Sequence, residues 1–332
     1  MCNVRSVLTS MTLVAIIVLA VGGWLAWSVW SPVLPDPPRY VLLRPGYGTR
    51  RIARELQAAG AIRSRTAFLV WHYFHRERSL KAGEYLFNSS ANVVQVHDRL
   101  ARGDIYVHTV VIPEGYNMFD IARAVQDAGL GSDEEFLKTA QSEVALISDI
   151  APEAKNLEGY LFPATYQFTR AQSMCEIIEI MVRQFRQVAT EIGLTSDVQR
   201  TVTMASIIEK ETAVPEERPL VASVYTNRLA SRFALQADPS IIYAELLDGT
   251  YAGKLHHADM QVRSSYNTYT HPGLPPGPIG NPGRGSLEAA MRPAQTDYFY
   301  FVADGNGRHR FAHSLEEHNR NVIAYRRAVN GR

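Results

Sequence analysis

An α+β fold carried on a single membrane-spanning helix follows from three features of this 332-residue sequence. They are a long uncharged apolar run at the N-terminus, an internal repeat whose copies read strand–helix–helix–strand, and a C-terminal half patterned for helices that closes on a β-hairpin. Hydrophobic residues make up 46% and charged residues 20%, a globular composition that excludes disorder and collagen-like repetition. The 34 Lys and Arg balance 33 Asp and Glu, so no basic excess drives phosphate binding and nucleic acid is not an expected partner. Two cysteines, Cys2 and Cys175, build neither a disulfide framework nor a four-thiolate metal site, and a membrane span between them keeps them apart.

The apolar run is Val7 to Trp30, 24 residues without a charge. At 1.5 Å per residue it crosses the roughly 30 Å hydrocarbon core. Trp24, Trp27 and Trp30 mark its C-terminal end, and Arg5 is the only charge before it, which places the N-terminus in the cytoplasm. A cleaved signal peptide is the alternative, but the run exceeds the usual apolar region of about 7–15 residues and no A-x-A site follows. Cys2 precedes the run and so is not placed like a lipoprotein cysteine. Residues 31–38 (SPVLPDPP) are half proline and read as an extended spacer holding the body off the far side of the membrane. The expected division is 1–6 cytoplasmic, 7–30 membrane helix, 31–38 linker, 39–106 first module, 107–170 second module and 171–332 a mainly helical domain.

The repeat lies at an offset of 69 residues: Gly46-Tyr47, Ile52-Ala53-Arg54, Gln57 and Ala59-Gly60 recur as Gly115-Tyr116, Ile121-Ala122-Arg123, Gln126 and Ala128-Gly129. A β-like run precedes each copy (Tyr40 to Leu43; Val107 to Ile112), and an Ala-Gly stop ends its first helix. Tyr85-Leu86-Phe87 and Tyr160-Leu161-Phe162 read as the returning strands of two βααβ modules. Helices are then expected over Met174 to Ile192, Asp197 to Ala213, Pro215 to Ala230 and Asp238 to Leu247, with Ser196-Asp197 and Pro215 as start signals. Ser264 to Gly285 is rich in Gly and Pro and reads as an irregular loop. A hairpin over Asp297 to Ala303 and His309 to Ala312, turning at Asp304-Gly305-Asn306-Gly307, and a helix over Ser314 to Val329 complete the chain.

The sharpest chemical feature is Met204 to Thr212 (MASIIEKET). Two carboxylates two residues apart on a helix point about 200° away from each other, so one can face a cleft while the other faces solvent. Glu211 shares its stripe with Met204, Ile207 and Ile208, whereas Glu209 lies over Ala205 and Ser206. Apolar neighbours raise a carboxyl pKa, as a general acid requires near neutral pH, which makes Glu211 a better candidate than Glu209; a solvated E-K-E patch is the alternative and the commoner fate of such triplets. Further polar clusters are Leu235 to Ser240, where Asp238 or Ser240 reads locally as a helix N-cap; Tyr266-Asn267-Thr268-Tyr269, leading to Asn281-Pro282-Gly283; and Glu158-Gly159-Tyr160. The tyrosine and amide side chains suit either a sugar or a folded loop. Ser265-Tyr266-Asn267 has no matching S-x-x-K or K-T-G, His309, His313 and His318 have poor metal spacing, and Gly-rich phosphate loops are absent. No metal and no cofactor are expected.

The ordered motifs Ile-Pro-Glu-Gly (112–115), Glu-Gly-Tyr-Leu-Phe-Pro-x-Thr-Tyr (158–166), Ala-Ser-Ile-Ile-Glu-Lys-Glu-Thr (205–212), Ala-Ser-Val-Tyr-x-Asn-Arg-Leu (222–229), Leu-Gln-x-Asp-Pro (235–239), Tyr-Asn-Thr-Tyr (266–269), Gly-Leu-Pro-Pro-Gly-Pro-Ile (273–279) and Tyr-Phe-Val-Ala (300–303) resemble the endolytic murein transglycosylases of the YceG-like family. The resemblance runs from Arg39 to Ala328. It implies a LysM-like module in the N-terminal half and a domain that cleaves the MurNAc-(β1→4)-GlcNAc bond within nascent peptidoglycan strands to leave 1,6-anhydro-MurNAc ends. It also puts the essential acid/base on the second Glu of E-K-E-T, here Glu211. Glu158, Tyr160, Gln236, Asp238, Tyr266, Asn267, Tyr269 and Asn281 are the expected glycan-binding residues. The expected setting is the cytoplasmic membrane with the body outside it, beside glycan strands and with peptidoglycan synthases as candidate partners. A muramidase-type hydrolase, for which Glu158 would be the second carboxylate, and a non-catalytic glycan-binding scaffold of the elongation machinery are the competing readings.

Overall fold

In a computed structural model describing residues 2–330, the chain divides into two units, one running to His108 and including Gln167–Ser173, the other Thr109–Tyr166 with the chain from Met174 onward. The first unit opens with helix α1 (Cys2–Trp30), whose stretch Leu8–Trp30 is long and apolar enough to cross a membrane, a property shared by anchors and signal sequences. Its last turns do not stay free: Val29 and Leu25 pack into a core with Val41, Leu56 and Phe68.

Strand β1 (Arg39–Leu43), helices α2 (Thr49–Ala58) and α3 (Arg65–Phe74) and strand β2 (Gly83–Phe87) follow, the strands pairing antiparallel with Val41 opposite Tyr85. Helix α2 stops at Ala59, after which Gly60 adopts a left-handed φ of +70°, as the Ala-Gly signal predicts. Ser64 caps α3 by accepting from the Ala67 N–H. Helix α4 (Val93–Arg102) extends the module beyond the expected strand–helix–helix–strand pattern; its signals are an Asn92/Gln95 capping box and the buried stripe Val93, Val96, Leu100. In the proline-rich segment Val33 and Ala91 exchange backbone hydrogen bonds of 2.9 and 3.0 Å, and Arg63 donates to the Pro32 carbonyl, so these prolines run along the module. Glu84, 1% exposed, is satisfied by His108 at 2.8 Å and Arg170 at 3.0 Å, as a buried carboxylate must be.

Strand β3 (His108–Val111), helices α5 (Met118–Asp127) and α6 (Asp133–Ser142) and strand β4 (Thr165–Phe168) repeat the pattern. Tyr160-Leu161-Phe162 is not the returning strand expected from the repeat. Its backbone is taken up by a turn (Tyr160 N–H to Leu157 carbonyl) and by Asn281, whose Oδ1 accepts from Leu161, so no ladder forms there and the strand comes three residues later.

The helical domain comprises α7 (Met174–Ile192), α8 (Val198–Glu211), α9 (Arg218–Ala230), α10 (Asp238–Asp248), α11 (Arg284–Met291), the hairpin β5 (Tyr300–Ala303) with β6 (His309–Ala312), and α12 (Leu315–Asn330). The architecture is mixed α+β, mostly helical, with three two-stranded sheets among the described residues. Asp197 precedes α8 as expected but with a left-handed φ of +50° and no capping bond from its side chain. Pro215 starts a short 3-10 turn, Pro215–Glu217, that leads into α9. Helix α11 begins inside the stretch read as irregular loop. Met204, Ile207 and Ile208 of α8, Val221, Ala222 and Tyr225 of α9 and Tyr243 of α10 share one core.

Because Val29 is 7% exposed whereas Leu19 is 75% exposed, Val29→Ala should destabilise the first unit by roughly 2 kcal/mol and Leu19→Ala should not. Hydrogen exchange across β1 and β2 in detergent-solubilised protein reads the difference.

Candidate active site

Helix α8 ends on Glu211 itself, and Thr212 turns the backbone to extended geometry with φ −140°. The turn is fixed by Thr212, whose hydroxyl donates to Glu217 and whose oxygen accepts from the Val214 N–H. Glu217 is held in turn by the His309 N–H at 3.0 Å and its Nδ1 at 2.7 Å. Burial would raise the Glu217 carboxyl, but these bonds from His309 outweigh it and keep it below the ordinary value.

On the neighbouring helix, Tyr225 and Arg228 stand one turn apart and face the end of α8. The Tyr225 hydroxyl donates to Glu211 Oε1 at 2.8 Å. With Leu235, Gln236, Asp238, Tyr269, Phe301 and His318 these three residues line a cleft of about 280 Å³. Desolvation pushes the Glu211 carboxyl up to about 7, against the opposing pull of the Tyr225 hydrogen bond; the Asp238 charge raises it further, and His309 and Arg228 lower it. Burial drives the Tyr225 phenol well above its ordinary value, so it remains a donor. Arg228 gives Nε–H to the Phe299 carbonyl at 2.8 Å and Nη1–H to the Leu235 carbonyl at 2.7 Å, tying the hairpin to the rim of the cleft.

The rim is strained at one residue. Gln236 is not glycine yet holds φ +54°, a conformation that costs on the order of 1–3 kcal/mol. Thr268 holds it there: its carbonyl accepts from Gln236 N–H at 3.1 Å, and its hydroxyl oxygen accepts from Ala237 N–H at 3.0 Å. Neither Asp238 nor Ser240 is an N-cap; that position is Ala237, and it has no side-chain cap. Ser240 instead donates to the Ala237 carbonyl, and Asp238, at the first position of α10, accepts a 2.5 Å bond from the Tyr269 hydroxyl.

Of the residues expected from sequence, the fold thus brings Glu211, Gln236, Asp238 and Tyr269 into one cleft and puts the others elsewhere. Glu158, 1% exposed, accepts from Met118 N–H at 3.0 Å and from Asn281 Nδ2 at 2.9 Å. Desolvation nevertheless raises it to about 7. Asn281 also binds Leu161 and the Tyr116 carbonyl, so Glu158 and Asn281 form an internal clasp joining three distant segments. Tyr160 is fully buried with its ring edge-on to Phe185. Asn267, 0% exposed, closes its own loop through the Met260 and Val262 carbonyls and the Tyr269 N–H. Tyr266 packs on Tyr243 with centroids 5.1 Å apart, and burial raises its phenol to about 12.

Glu209 corrects the expectation of a solvent-facing partner to Glu211. It pairs with Arg218 at 3.0 Å, accepts from Gly283 N–H at 2.8 Å and leaves 5% of its side chain exposed. Arg218 also reaches Glu114, and a Cβ at Gly283 would meet Glu114 Oε1 at 1.8 Å, so a larger residue there requires the Glu114 side chain to move. His309, His313 and His318 do not converge: they meet Glu217, Asp297 and the Tyr300 ring respectively. Tyr225, Arg228 and Phe301 lie inside quoted motifs and His318 among the histidines weighed for metal, but none of the four is an expected site residue; the i, i+3 spacing of Tyr225 and Arg228 is a signal for the first two, and nothing local places Phe301 or His318 at the cleft.

Removing Asn281 would strand the buried Glu158 carboxyl and the Leu161 N–H while sparing the cleft. Asn281→Ala should cost about 2–4 kcal/mol, read as a fall in Tm, with the Glu211–Tyr225 contact retained.

Comparison with known proteins agrees with this architecture. The YceG-like family matches residues 41–324. A Bacillus subtilis protein named endolytic murein transglycosylase is 32% identical over 326 residues, covering 91% of this chain and 90% of its own length. A Streptococcus pneumoniae protein of the same name is 29% identical over 352 residues, covering 94% of this chain and 64% of its own length. The crystal structure of a YceG-like protein from Listeria monocytogenes superposes with a TM-score of 0.57 at 33% identity, covering 86% of this chain and 99% of that one. The chain belongs to the YceG-like family.

Proposed function

We propose that this protein is a membrane-anchored endolytic murein transglycosylase in which Glu211 is the general acid and then the general base. The observation that carries the reading is a carboxyl raised to about 7 at the wall of an open cleft, with one oxygen already engaged by Tyr225. Family membership and the names of the relatives point to peptidoglycan as the substrate.

In this reading Glu211 gives its proton to the glycosidic oxygen of a MurNAc-(β1→4)-GlcNAc bond, and the C1–O bond breaks with its electron pair leaving on the GlcNAc oxygen. The resulting Glu211 carboxylate takes the proton of the MurNAc C6 hydroxyl, whose oxygen bonds to C1 and closes the 1,6-anhydro ring. No water is consumed, and one acid/base serves both steps. Tyr225 holds Oε1, leaving Oε2 for the proton in transit. The Asp238 carboxylate favours the protonated form of Glu211 beforehand, and its negative charge suits the oxocarbenium character that develops at C1. Gln236, Tyr269 and Phe301 offer an amide edge and aromatic faces to the sugars.

A hydrolase is the second reading, and Asp238 is the observation that favours it: a second carboxylate in the same cleft could activate water. Glu158 does not take that part here, its oxygens being committed to Met118 and Asn281. Helix α1 serves as a single-pass anchor with the body outside the cytoplasmic membrane, beside nascent strands and the synthases that make them.

Mass spectrometry of fragments released from uncross-linked nascent glycan separates the readings. Internal cuts bearing 1,6-anhydro-MurNAc ends are expected, whereas reducing ends would mean hydrolysis and intact strands a scaffold. Glu211→Gln should lose activity by at least about 10²-fold, and normal turnover would refute the assignment.

The same substitution tests the ionisation. A buried carboxyl with a raised folded pKa binds protons more tightly when folded, so its penalty is absent below about 4.5, grows as pH rises, and is complete above about 7, on the order of 3 kcal/mol. Glu211→Gln should therefore raise Tm above neutral pH and leave it unchanged in acid. Activity of the native protein should fall as pH rises through about 7. Tyr225→Phe removes a bond that favours the carboxylate and should move that alkaline limb up, while Asp238→Asn should move it down.

A further inference from the structure

Helix α3 has two faces with different fates. Ala67 and Phe68 are wholly buried in the first unit, while Val70, Tyr73 and Phe74, at i, i+3 and i+4, remain 38, 58 and 73% exposed. A stripe of that size left in water is costly, since burying one such side chain is worth about 1.5–3 kcal/mol. The stripe is not placed at random on the unit. The ring of Trp71 meets Trp30, the last residue of α1, edge-on with centroids 5.9 Å apart, and the Arg63 guanidinium lies 4.6 Å from the Trp27 ring.

Counting from Leu8, about 20 residues cross the roughly 30 Å hydrocarbon core, so a spanning α1 leaves it near Trp27. Trp27 and Trp30, 53 and 60% exposed, then sit where indole rings prefer to be, in the headgroup layer. Whatever touches Trp30 is at that depth as well. The chain here is also basic: Arg63, Arg65, Arg76, Arg78 and Lys81 against the single acid Glu77 between residues 63 and 81. Arg78 is paired with Asp98, whereas Arg76 lies over the Tyr73 ring with its carbon 3.9 Å from the centroid, an arrangement that lets the apolar stem lie flat and the charge reach outward.

We infer that α3 is seated in the headgroup layer of the membrane leaflet where α1 ends, with Val70, Tyr73 and Phe74 directed at the acyl boundary and Arg63, Arg65 and Arg76 at lipid phosphates. The inference rests on α1 being an anchor. It makes the first unit a second, peripheral membrane contact, consistent with the pinned proline segment and with Leu25 and Val29 lying inside the unit.

The test uses the full chain with Cys2 and Cys175 replaced by serine and one environment-sensitive fluorophore on Phe74→Cys, reconstituted in phosphatidylethanolamine/phosphatidylglycerol vesicles. Val18→Cys in α1 and Arg54→Cys in α2 are the deep and the aqueous references. The expected result is several-fold stronger quenching of the Phe74 probe than of the Arg54 probe by lipids brominated on their acyl chains, with the order reversed for aqueous iodide. If Val18 is quenched by lipid and Phe74 behaves like Arg54, the proposal fails while the anchor stands. Shielding of Phe74 from iodide without lipid quenching would assign the face to a protein or a glycan and overturn it. An unquenched Val18 would remove the anchor and the proposal together.

Discussion

Keeping one carboxyl largely dry while leaving it open to a ligand is the constraint around which the helical domain is arranged. A carboxylate against apolar side chains is disfavoured by several kcal/mol unless it is protonated or paired, and Glu211 is hydrogen-bonded to a phenol, not to a cation. That choice requires the end of α8 to be fixed from every side. Ile207 and Ile208 root it in the core shared with α9; Thr212, Glu217 and His309 fix the turn beyond it; Arg228 ties the hairpin and the Leu235 loop to the rim. Loosening any of these would admit water and return the carboxyl toward its ordinary value.

Glu158 and Glu211 show how the same shift supports different outcomes. Both are raised to about 7 by desolvation. Glu158 is enclosed by Met118 and Asn281, and its value lies in holding three segments together. Glu211 keeps an oxygen available at the cleft wall, beside the charge of Asp238. A perturbed carboxyl is therefore informative only together with its access, and access is the property that separates the two.

The stripe under Glu211 was legible in the sequence because i−3, i−4 and i−7 neighbours are local, and so were most helices and the hairpin. What could not be read was set by distant partners. Glu209 looks solvated until Arg218 and Gly283 close over it. The eight-residue identity between the copies invited a matching strand at Tyr160-Leu161-Phe162, but Asn281, far along the chain, had already taken that backbone. The proline-rich segment has the composition of a spacer, and it is held by partners far along the chain, Val33 bridging Ala91 and the Pro32 carbonyl accepting from Arg63. The Tyr-Asn-Thr-Tyr motif suits a sugar or a folded loop equally by its residues, and in the fold its members divide, Tyr269 facing the cleft, Asn267 bracing the loop, and Thr268 holding Gln236 in its strained conformation.

The central claim is that Glu211 carries its proton near neutral pH, and infrared difference spectroscopy between the native protein and Glu211→Gln, followed across pH, tests it directly. The account predicts a protonated-carboxyl band that is present in the native protein, missing from the variant, and lost with a midpoint near 7. A midpoint at the ordinary value near 4.5 would mean that the cleft does not desolvate Glu211 and would contradict the account.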